Sequence, residues 1–203
     1  MTATAPRHAA PRETGALGRH ALAAVVVLAA MAATLAAMGR GWWCGAGDAS
    51  LWSSAVWSRH NSQHVFDPYT FTHVLHGPVY YLLVWAALRR RTSPLGRAWV
   101  AFGMEVLWEI VENTDAVIDR YRSATISLDY YGDSIANSLG DVLAFAAGYA
   151  AAGVLPVAVS IVAFVLIDGA LALWIRDSLV LNVLMLVHPI EAVKQWQLRA
   201  RGG

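Results

Sequence analysis

The sequence predicts an all-α fold, a polytopic membrane helix bundle with five to six transmembrane helices. Composition is the first reason: 57% of the 203 residues are hydrophobic and 14% are charged, against about a quarter charged in soluble domains. The second reason is length, because several apolar runs approach the ~20 residues that cross a bilayer core. The third is the placement of Lys and Arg, which is asymmetric across the predicted spans.

Apolar runs set the predicted spans. The first, residues 21–39, is interpreted as uncleaved, because it is longer than the apolar core of a signal peptide and no clear cleavage site follows. Further spans are predicted over 69–88, 98–117, 132–154 and 156–175. A last apolar piece, 178–196, contains a proline and is either a sixth span or a bent, re-entrant segment. A single transmembrane helical domain over 19–197 is therefore expected between a disordered cytoplasmic tail, 1–18, and a C-terminal tail, 198–203.

The segment between the first two spans, "DASLWSSAVWSRHNSQHVFDPYT", is rich in tryptophan. It predicts a short interfacial helix beginning at Asp48 in the first periplasmic loop, with Trp52 and Trp57 as anchors at the headgroup level. Asp67 and Pro68 predict the start of the second span, because Asp is a favoured N-cap and Pro a favoured first helical residue.

The basic residues predict the orientation. With the N-terminus inside, ten of the 15 Lys and Arg residues lie on the cytoplasmic side if the last apolar piece spans. The segment "LRRRTSPLGR" is the firmest anchor. We therefore expect a multi-pass protein of the bacterial inner membrane with a cytoplasmic N-terminus. The lipid bilayer is the expected partner; the net charge of +1 and the lack of a basic stripe argue against nucleic acid, and the sequence names no protein partner.

Three consecutive predicted spans carry polar stripes at helical spacing. The stripes are His73 and His76; Glu105, Glu109 and Glu112; and Asp133, Asn137 and Asp141. The three glutamates fall within an arc of roughly 60° on their helix. Ionisable groups inside membranes almost always face a bundle interior and pair with one another. We expect the stripes to meet in one pocket in the outer half of the bilayer, with the loop "DRYRSATISLDYYGDS" over its mouth.

These residues supply candidate roles in a polar pocket. The candidate catalytic residues are Glu109, Glu112, Asp133, Asn137 and His76. The candidate substrate-binding residues, with arginine forks suited to a phosphate head group, are Arg122, Arg176, Asp129 and Asn113. The candidate metal ligands are His73, His76 and Glu109.

Two mechanisms remain open for the pocket. Imidazole and carboxylate ligands suit a divalent metal such as Zn or Fe, which would lower the pKa of a bound water toward ~7. Without a metal, Glu109 and Glu112 would work as an acid/base pair with pKa values set apart by their surroundings. Cys44 is the single cysteine; it can form neither an internal disulfide nor a thiolate metal site, and it is interpreted as a loop residue of no special role.

Four segments carry a family resemblance: "NSQHVFDPYTFTHVLHG", "EVLWEIVEN", "YRSATISLDYYGDSIANSLGD" and "IRDSLVLNVLMLVHPIEAVKQWQ". They resemble an uncharacterised family of alphaproteobacterial multi-pass inner-membrane proteins over about residues 42–197. That resemblance implies no activity. A looser similarity, to VanZ-like membrane proteins, implies a role in the cell envelope. It rests on Glu109, Arg122, Asp133, Asn137 and Gly140, with Glu112 where those proteins usually carry Gln.

Three functions remain open. The leading one is a hydrolase- or transferase-type enzyme that acts on a lipid or lipid-linked envelope substrate. The alternatives are a non-enzymatic lipid-binding, solute-binding or transport protein, and a membrane assembly scaffold. Asp168 is interpreted as a contact within the bundle, and His188 with Glu191 would join the pocket if the last segment folds back.

Overall fold

The computed structural model describes residues 12–125 and 127–199, and this part of the chain folds into eight helices. They are α1 (Arg12–Ala37), α2 (Thr70–Leu88), α3 (Pro94–Glu112), α4 (Asp115–Ala124), α5 (Ile135–Val154), α6 (Val157–Trp174), α7 (Leu179–Val187) and α8 (Glu191–Leu198). Extended pairing among the described residues is limited to an isolated bridge between Trp52 and Phe66. The predicted all-α class is confirmed.

Four helices in the described ranges are long and apolar enough to cross a membrane: residues 15–37 of α1, and α2, α5 and α6. The side chains of α6 are mostly exposed apart from Leu171, and they are apolar on every side, which suits contact with lipid. α3 is as long as α2, but Arg97 and three glutamates make it too polar to count among the helices that could cross a membrane by composition. Length and composition thus support four of the five to six expected spans.

Glycines bring α2 and α5 into close contact. A Cβ atom on Gly77 would collide with the backbone of Gly148 and Tyr149, and one on Gly148 would collide with the carbonyl of Val74. Small residues of this kind let helix backbones approach each other directly. The polar stripes of α2 and α5 are therefore held at a short, fixed separation.

Residues 38–69 contain no helix, so the expected interfacial helix from Asp48 is wrong. The side-chain oxygens of Asp48, Ser53 and Ser58 instead accept hydrogen bonds of 2.9–3.3 Å from backbone N–H groups two residues further on. Such local bonds compete with helical hydrogen bonding. The segment is an irregular cap over one end of the bundle.

α2 begins at Thr70 with Tyr69 as its N-cap, two residues later than the predicted start at Pro68, but Asp67 does bond the backbone at this end. Asp67 Oδ1 accepts hydrogen bonds from the backbone N–H groups of Tyr69 (2.7 Å) and Thr70 (3.2 Å), and Thr70 Oγ1 accepts one from the Asp67 N–H (3.0 Å). This reciprocal arrangement satisfies amides that the first helical turn leaves free.

The third predicted span, over 98–117, is too long at its C-terminal end. α3 ends at Glu112, because Asn113 turns its side chain back to the carbonyl of Glu109 (2.9 Å) and Thr114 adopts an extended backbone. The separate helix α4 then lies at that end of the bundle.

The last apolar piece is bent into two short helices. α7 and α8 are separated at Pro189, which lacks an N–H and disfavours helical conformation in the residue before it. α7 is about 14 Å long, too short for a ~30 Å hydrocarbon core. Lys194 of α8 donates to the carbonyl of Ser123 (2.6 Å), and Gln197 donates to that of Arg176 (2.9 Å). Both helices therefore stay at the end of the bundle where α4 lies.

The expected tails differ from the structure at the N-terminal side. α1 already begins at Arg12, so residues 12–18 are helical and not disordered. Extending an existing helix fixes one residue for each added hydrogen bond, which favours growth beyond the apolar run. Residues 1–11 and 200–203 of the two expected tails lie outside the described residues.

Candidate functional site

Two histidines of α2 donate to one buried carboxylate of α3. His73 Nδ1 lies 2.8 Å from Glu105 Oε1, and His76 Nδ1 lies 3.1 Å from both oxygens of the same group. The i, i+3 spacing of the histidines allows this, since it places both rings on one helix face. With Nδ1 committed to a carboxylate, the Nε2 lone pair of each neutral ring is free to bind a proton or a metal.

His73 is surrounded by carboxylates from two further positions. Its Nδ1 lies 3.2 Å from Glu109 Oε1, and its Nε2 lies 3.9 Å from Asp141 Oδ2 of α5. Even so, neither buried oxygen of Glu109 accepts a well-oriented hydrogen bond from any described residue, and the same holds for Asp141 Oδ1. Buried polar atoms without partners cost folding free energy. Binding a proton or a cation at these oxygens would remove that cost.

Asn113 and Asn137 have structural partners. Asn113 donates to Asp133 Oδ2 (2.7 Å) and accepts from the Asp133 backbone N–H (2.7 Å). Asn137 donates to the carbonyl of His64 (2.8 Å). The Asn113 bonds tie the end of α3 to the residues just before α5, and the Asn137 bond ties the start of α5 to residues 38–69. Burial raises the pKa of Asp133 above the usual range for aspartate.

A polar cavity of about 70 Å³ lies where the three stripes meet, with room for roughly five waters. Its wall includes five residues expected in the pocket: His73, His76, Glu112, Asp133 and Asp141. The structure thus brings the three stripes together, as their helical spacing predicts.

The cavity also has a roof that sequence reasoning missed in part. Tyr121 and Tyr130 line it from the α4 region, and Asn182 and Leu186 line it from α7. The loop expected over the mouth does carry Tyr130, and its aromatic pair was a usable signal. α7 gave no such signal, because an apolar segment with one asparagine resembles a membrane span.

Six predicted site residues lie away from the cavity wall: Glu109, Asn137, Arg122, Arg176, Asp129 and Asn113. The guanidinium of Arg122 packs on the ring of Tyr131 (4.5 Å to its centre), and that of Arg176 packs on the ring of Trp196 (4.8 Å). Asp129 lines a separate surface groove. His188 and Glu191 are exposed beyond the roof, although the segment does fold back. In this conformation the arginines expected to hold a phosphate head group are not assembled at the cavity. Asn113, the fourth predicted substrate-binding residue, does not line the cavity wall either.

Within the described ranges, three groups of side chains have ligand atoms close enough to share one metal ion. Two of them use His73: one with His76 and Glu105, the other with Glu109 and Glu112. The atoms of each group lie within 4.8 Å of one another. The third group is in the capping segment and consists of Cys44, His60 and His64.

The family model described as protein of unknown function (DUF2585) matches residues 35–199, which include the whole cavity wall. The chain belongs to the DUF2585 family. The expected likeness to an uncharacterised alphaproteobacterial family is thereby confirmed.

Several curated relatives of this DUF2585 chain carry the name UPF0314 protein. That of Sinorhizobium fredii is 49% identical over 87% of the chain and 89% of the relative. That of Paracoccus denitrificans is 49% identical over 85% and 88%, and that of Brucella anthropi is 41% identical over 89% and 91%. No solved structure matches the DUF2585 chain.

Proposed function

We propose that this protein binds a divalent metal ion beside the cavity, at His73, Glu109 and Glu112, and uses it to hydrolyse, or to transfer a group from, a lipid or lipid-linked substrate of the cell envelope. The observation that carries the proposal is the buried carboxylate of Glu109, which faces His73 and Glu112 without a hydrogen-bond donor among the described residues for either oxygen. A metal ion would supply the missing partner.

The balance of charge supports a bound cation. Glu105, Glu109, Glu112, Asp133 and Asp141 are all buried around two imidazole rings. Burying one unpaired carboxylate costs several kcal/mol. The summed cost of several such carboxylates would reach the whole free energy of unfolding of a domain, about 5–15 kcal/mol. Protons or a cation must therefore neutralise the excess. Carboxylate with imidazole is a donor set used by Zn, Mn and Fe.

The residues divide into ligands and supports. His73, Glu109 and Glu112 would hold the metal, and Glu105 would orient the His73 ring through the 2.8 Å hydrogen bond to Nδ1. When bound, the metal would activate a water as nucleophile. Asp141, whose Oδ1 has no described donor, would accept the proton of that water.

A lipid-linked substrate suits the roof of the cavity. Leu179, Val183 and Leu186 of α7 line the cavity beside its polar wall, so the entrance presents both apolar and polar surface. An amphiphile with an acyl or prenyl chain would place its chain along α7 and its head group at the carboxylates. The roof would also keep bulk water from the reacting atoms.

The orientation belongs to the same proposal. We infer five spans, α1, α2, α3, α5 and α6, with α7 and α8 re-entrant, in a bacterial inner membrane. The four arginines of residues 89–97 lie where α2 ends and α3 begins, at the end of the bundle opposite the cavity, and such clusters favour the cytoplasm. The cavity then faces the periplasmic leaflet.

Binding or transport without chemistry is the second candidate. Its weakness is the apolar cluster of Val84, Ala101 and Phe145, which fills the bundle between the cavity and the arginine end. A solute pathway would need a polar route through this half.

The function is tested by profiling lipids and cell-wall precursors in a deletion strain of a bacterium that carries this protein. We expect a precursor or lipid to accumulate, wild-type protein and Glu191→Gln to restore the profile, and Glu109→Gln to leave it unrestored. Glu191 is the matched control because it is exposed on α8. An unchanged profile in the deletion strain would overturn the enzymatic proposal.

A further inference from the structure

The capping segment, residues 38–69, brings Cys44, His60 and His64 together outside the cavity wall. The Cys44 sulfur lies 3.4 Å from His60 Nδ1, and His60 Nδ1 lies 3.2 Å from His64 Nε2. Cys44 and His64 are buried, with 6% and 0% of their surface exposed. The three side chains converge although 16 residues separate the cysteine from the first histidine.

These separations match the edges of a tetrahedral zinc site. Zinc bonds of about 2.0–2.1 Å to nitrogen and about 2.3 Å to sulfur place neighbouring ligand atoms about 3.3–3.6 Å apart. The carboxylate of Asp48 is near enough to complete the set, with Oδ2 4.0 Å from His64 Nε2. Its side chain is 43% exposed, so the fourth position lies toward solvent.

Outer contacts hold the ligands in binding orientation. His64 Nδ1 donates to the carbonyl of Ser50 (2.6 Å), which leaves the Nε2 lone pair pointing at the cluster. Trp43 Nε1 donates to the carbonyl of Asp48 (2.9 Å), and Gly47 adopts a left-handed φ of 81° that turns the chain between Cys44 and Asp48.

We propose that Cys44, His60, His64 and Asp48 form a second metal site, a structural zinc site separate from the cavity. One thiolate is sufficient when two imidazoles and a carboxylate complete the set, and the site would give Cys44 a role as a ligand. The zinc would cross-link the capping segment, whose His64 carbonyl holds Asn137 at the start of α5. It therefore stabilises the end of the bundle that contains the cavity.

Cobalt substitution of the purified full chain tests this site apart from the cavity. A Cys thiolate bound to Co²⁺ gives a sulfur-to-metal charge-transfer absorption, which nitrogen and oxygen ligands do not give. We expect this band in wild type and in the His73→Ala/His76→Ala variant, and its loss in Cys44→Ser. A band that survives in Cys44→Ser, or its absence from wild type, would overturn the proposal.

A second measurement takes its decisive result from the wild-type protein. Cys44 is the single thiol of the chain, so its alkylation by a maleimide reports on zinc directly. Zinc should slow alkylation, and a chelator should restore the rate. His60→Ala should weaken the zinc protection by at least about tenfold, since even outer contacts of metal sites are worth that much. An alkylation rate independent of zinc in wild type would contradict the site, whatever metal the cavity binds.

Discussion

Asp177 is a buried residue that contributes to the pH dependence of stability. It lies between α6 and α7, where it accepts hydrogen bonds from the backbone N–H of Ser178 (2.9 Å) and the hydroxyl of Tyr69 (3.2 Å). Burial raises its pKa from 3.8 to about 6, and Asp168 adds to the rise. The flanking Arg176 packs on an aromatic ring instead of on this carboxylate.

The raised pKa of Asp177 predicts the direction in which stability changes with pH. The folded state holds this proton more tightly than the unfolded state, so stability from this group increases as pH falls from above 6 toward 3.8. Two pKa units correspond to about 3 kcal/mol. We expect Asp177→Asn to reduce the rise in unfolding temperature over this pH range, measured by thermal unfolding in detergent, and the exposed Asp119→Asn to leave it unchanged. A smaller rise should remain, because burial also raises the pKa of Asp67 to about 6. A wild-type slope in Asp177→Asn would contradict the assignment.

The sequence predicts that Glu109 and its neighbours share one helix face, but it does not predict which side chains they bond. The spacing of Glu105, Glu109 and Glu112 shows one polar face, because a helix repeats every 3.6 residues. It does not show that His73 and His76 share Glu105 while Glu109 keeps no described donor. That distinction depends on how α2 and α3 are rotated and shifted against each other.

At the scale of elements, the close contact between α2 and α5 sets the separation of the polar side chains that these helices contribute to the site. Gly77→Ala would push a methyl group into the backbone of Gly148. We expect a loss of roughly 1–3 kcal/mol of stability, the usual cost of an overpacked contact, seen as a lower unfolding temperature. Gly103→Ala on α3 is the control, since its Cβ would meet nothing within 4 Å. Equal unfolding temperatures for the two variants would show that the helices are not in close contact.

Elements with strong apolar periodicity were predictable, and elements fixed by distant contacts were not. α2 and α5 begin within three residues of the predicted positions. The capping segment follows instead from α5, whose first free amides donate to it: Ser134 N–H to the Ser62 carbonyl (2.9 Å) and Ile135 N–H to the Gly41 carbonyl (2.8 Å). Local sequence does not encode these long-range bonds.

For the whole molecule, the bend at Pro189 decides where the C-terminal end lies. The hydrogen bond from Lys194 to Ser123 places α8 at the cavity end, so Lys194 and Arg199 no longer add to the basic residues of the opposite end. The orientation then depends on the arginines of residues 89–97.

Reporter fusions measure this topology. Alkaline phosphatase, active only outside the cytoplasm, should be active when fused after Gly203 and inactive when fused after Arg91. A six-span protein would show both fusions inactive. Activity at Arg91 and not at Gly203 would reverse the proposed orientation.

The central claim is that the buried cluster of His73, Glu109 and Glu112 holds a metal ion. Its most direct test is elemental analysis of detergent-purified wild type, Glu109→Gln and Glu191→Gln, none exposed to chelator. We predict that Glu109→Gln, which removes one anionic ligand and little volume, contains about one equivalent less metal than wild type, while Glu191→Gln matches wild type. Equal metal content in all three folded proteins would contradict a metal ion at Glu109.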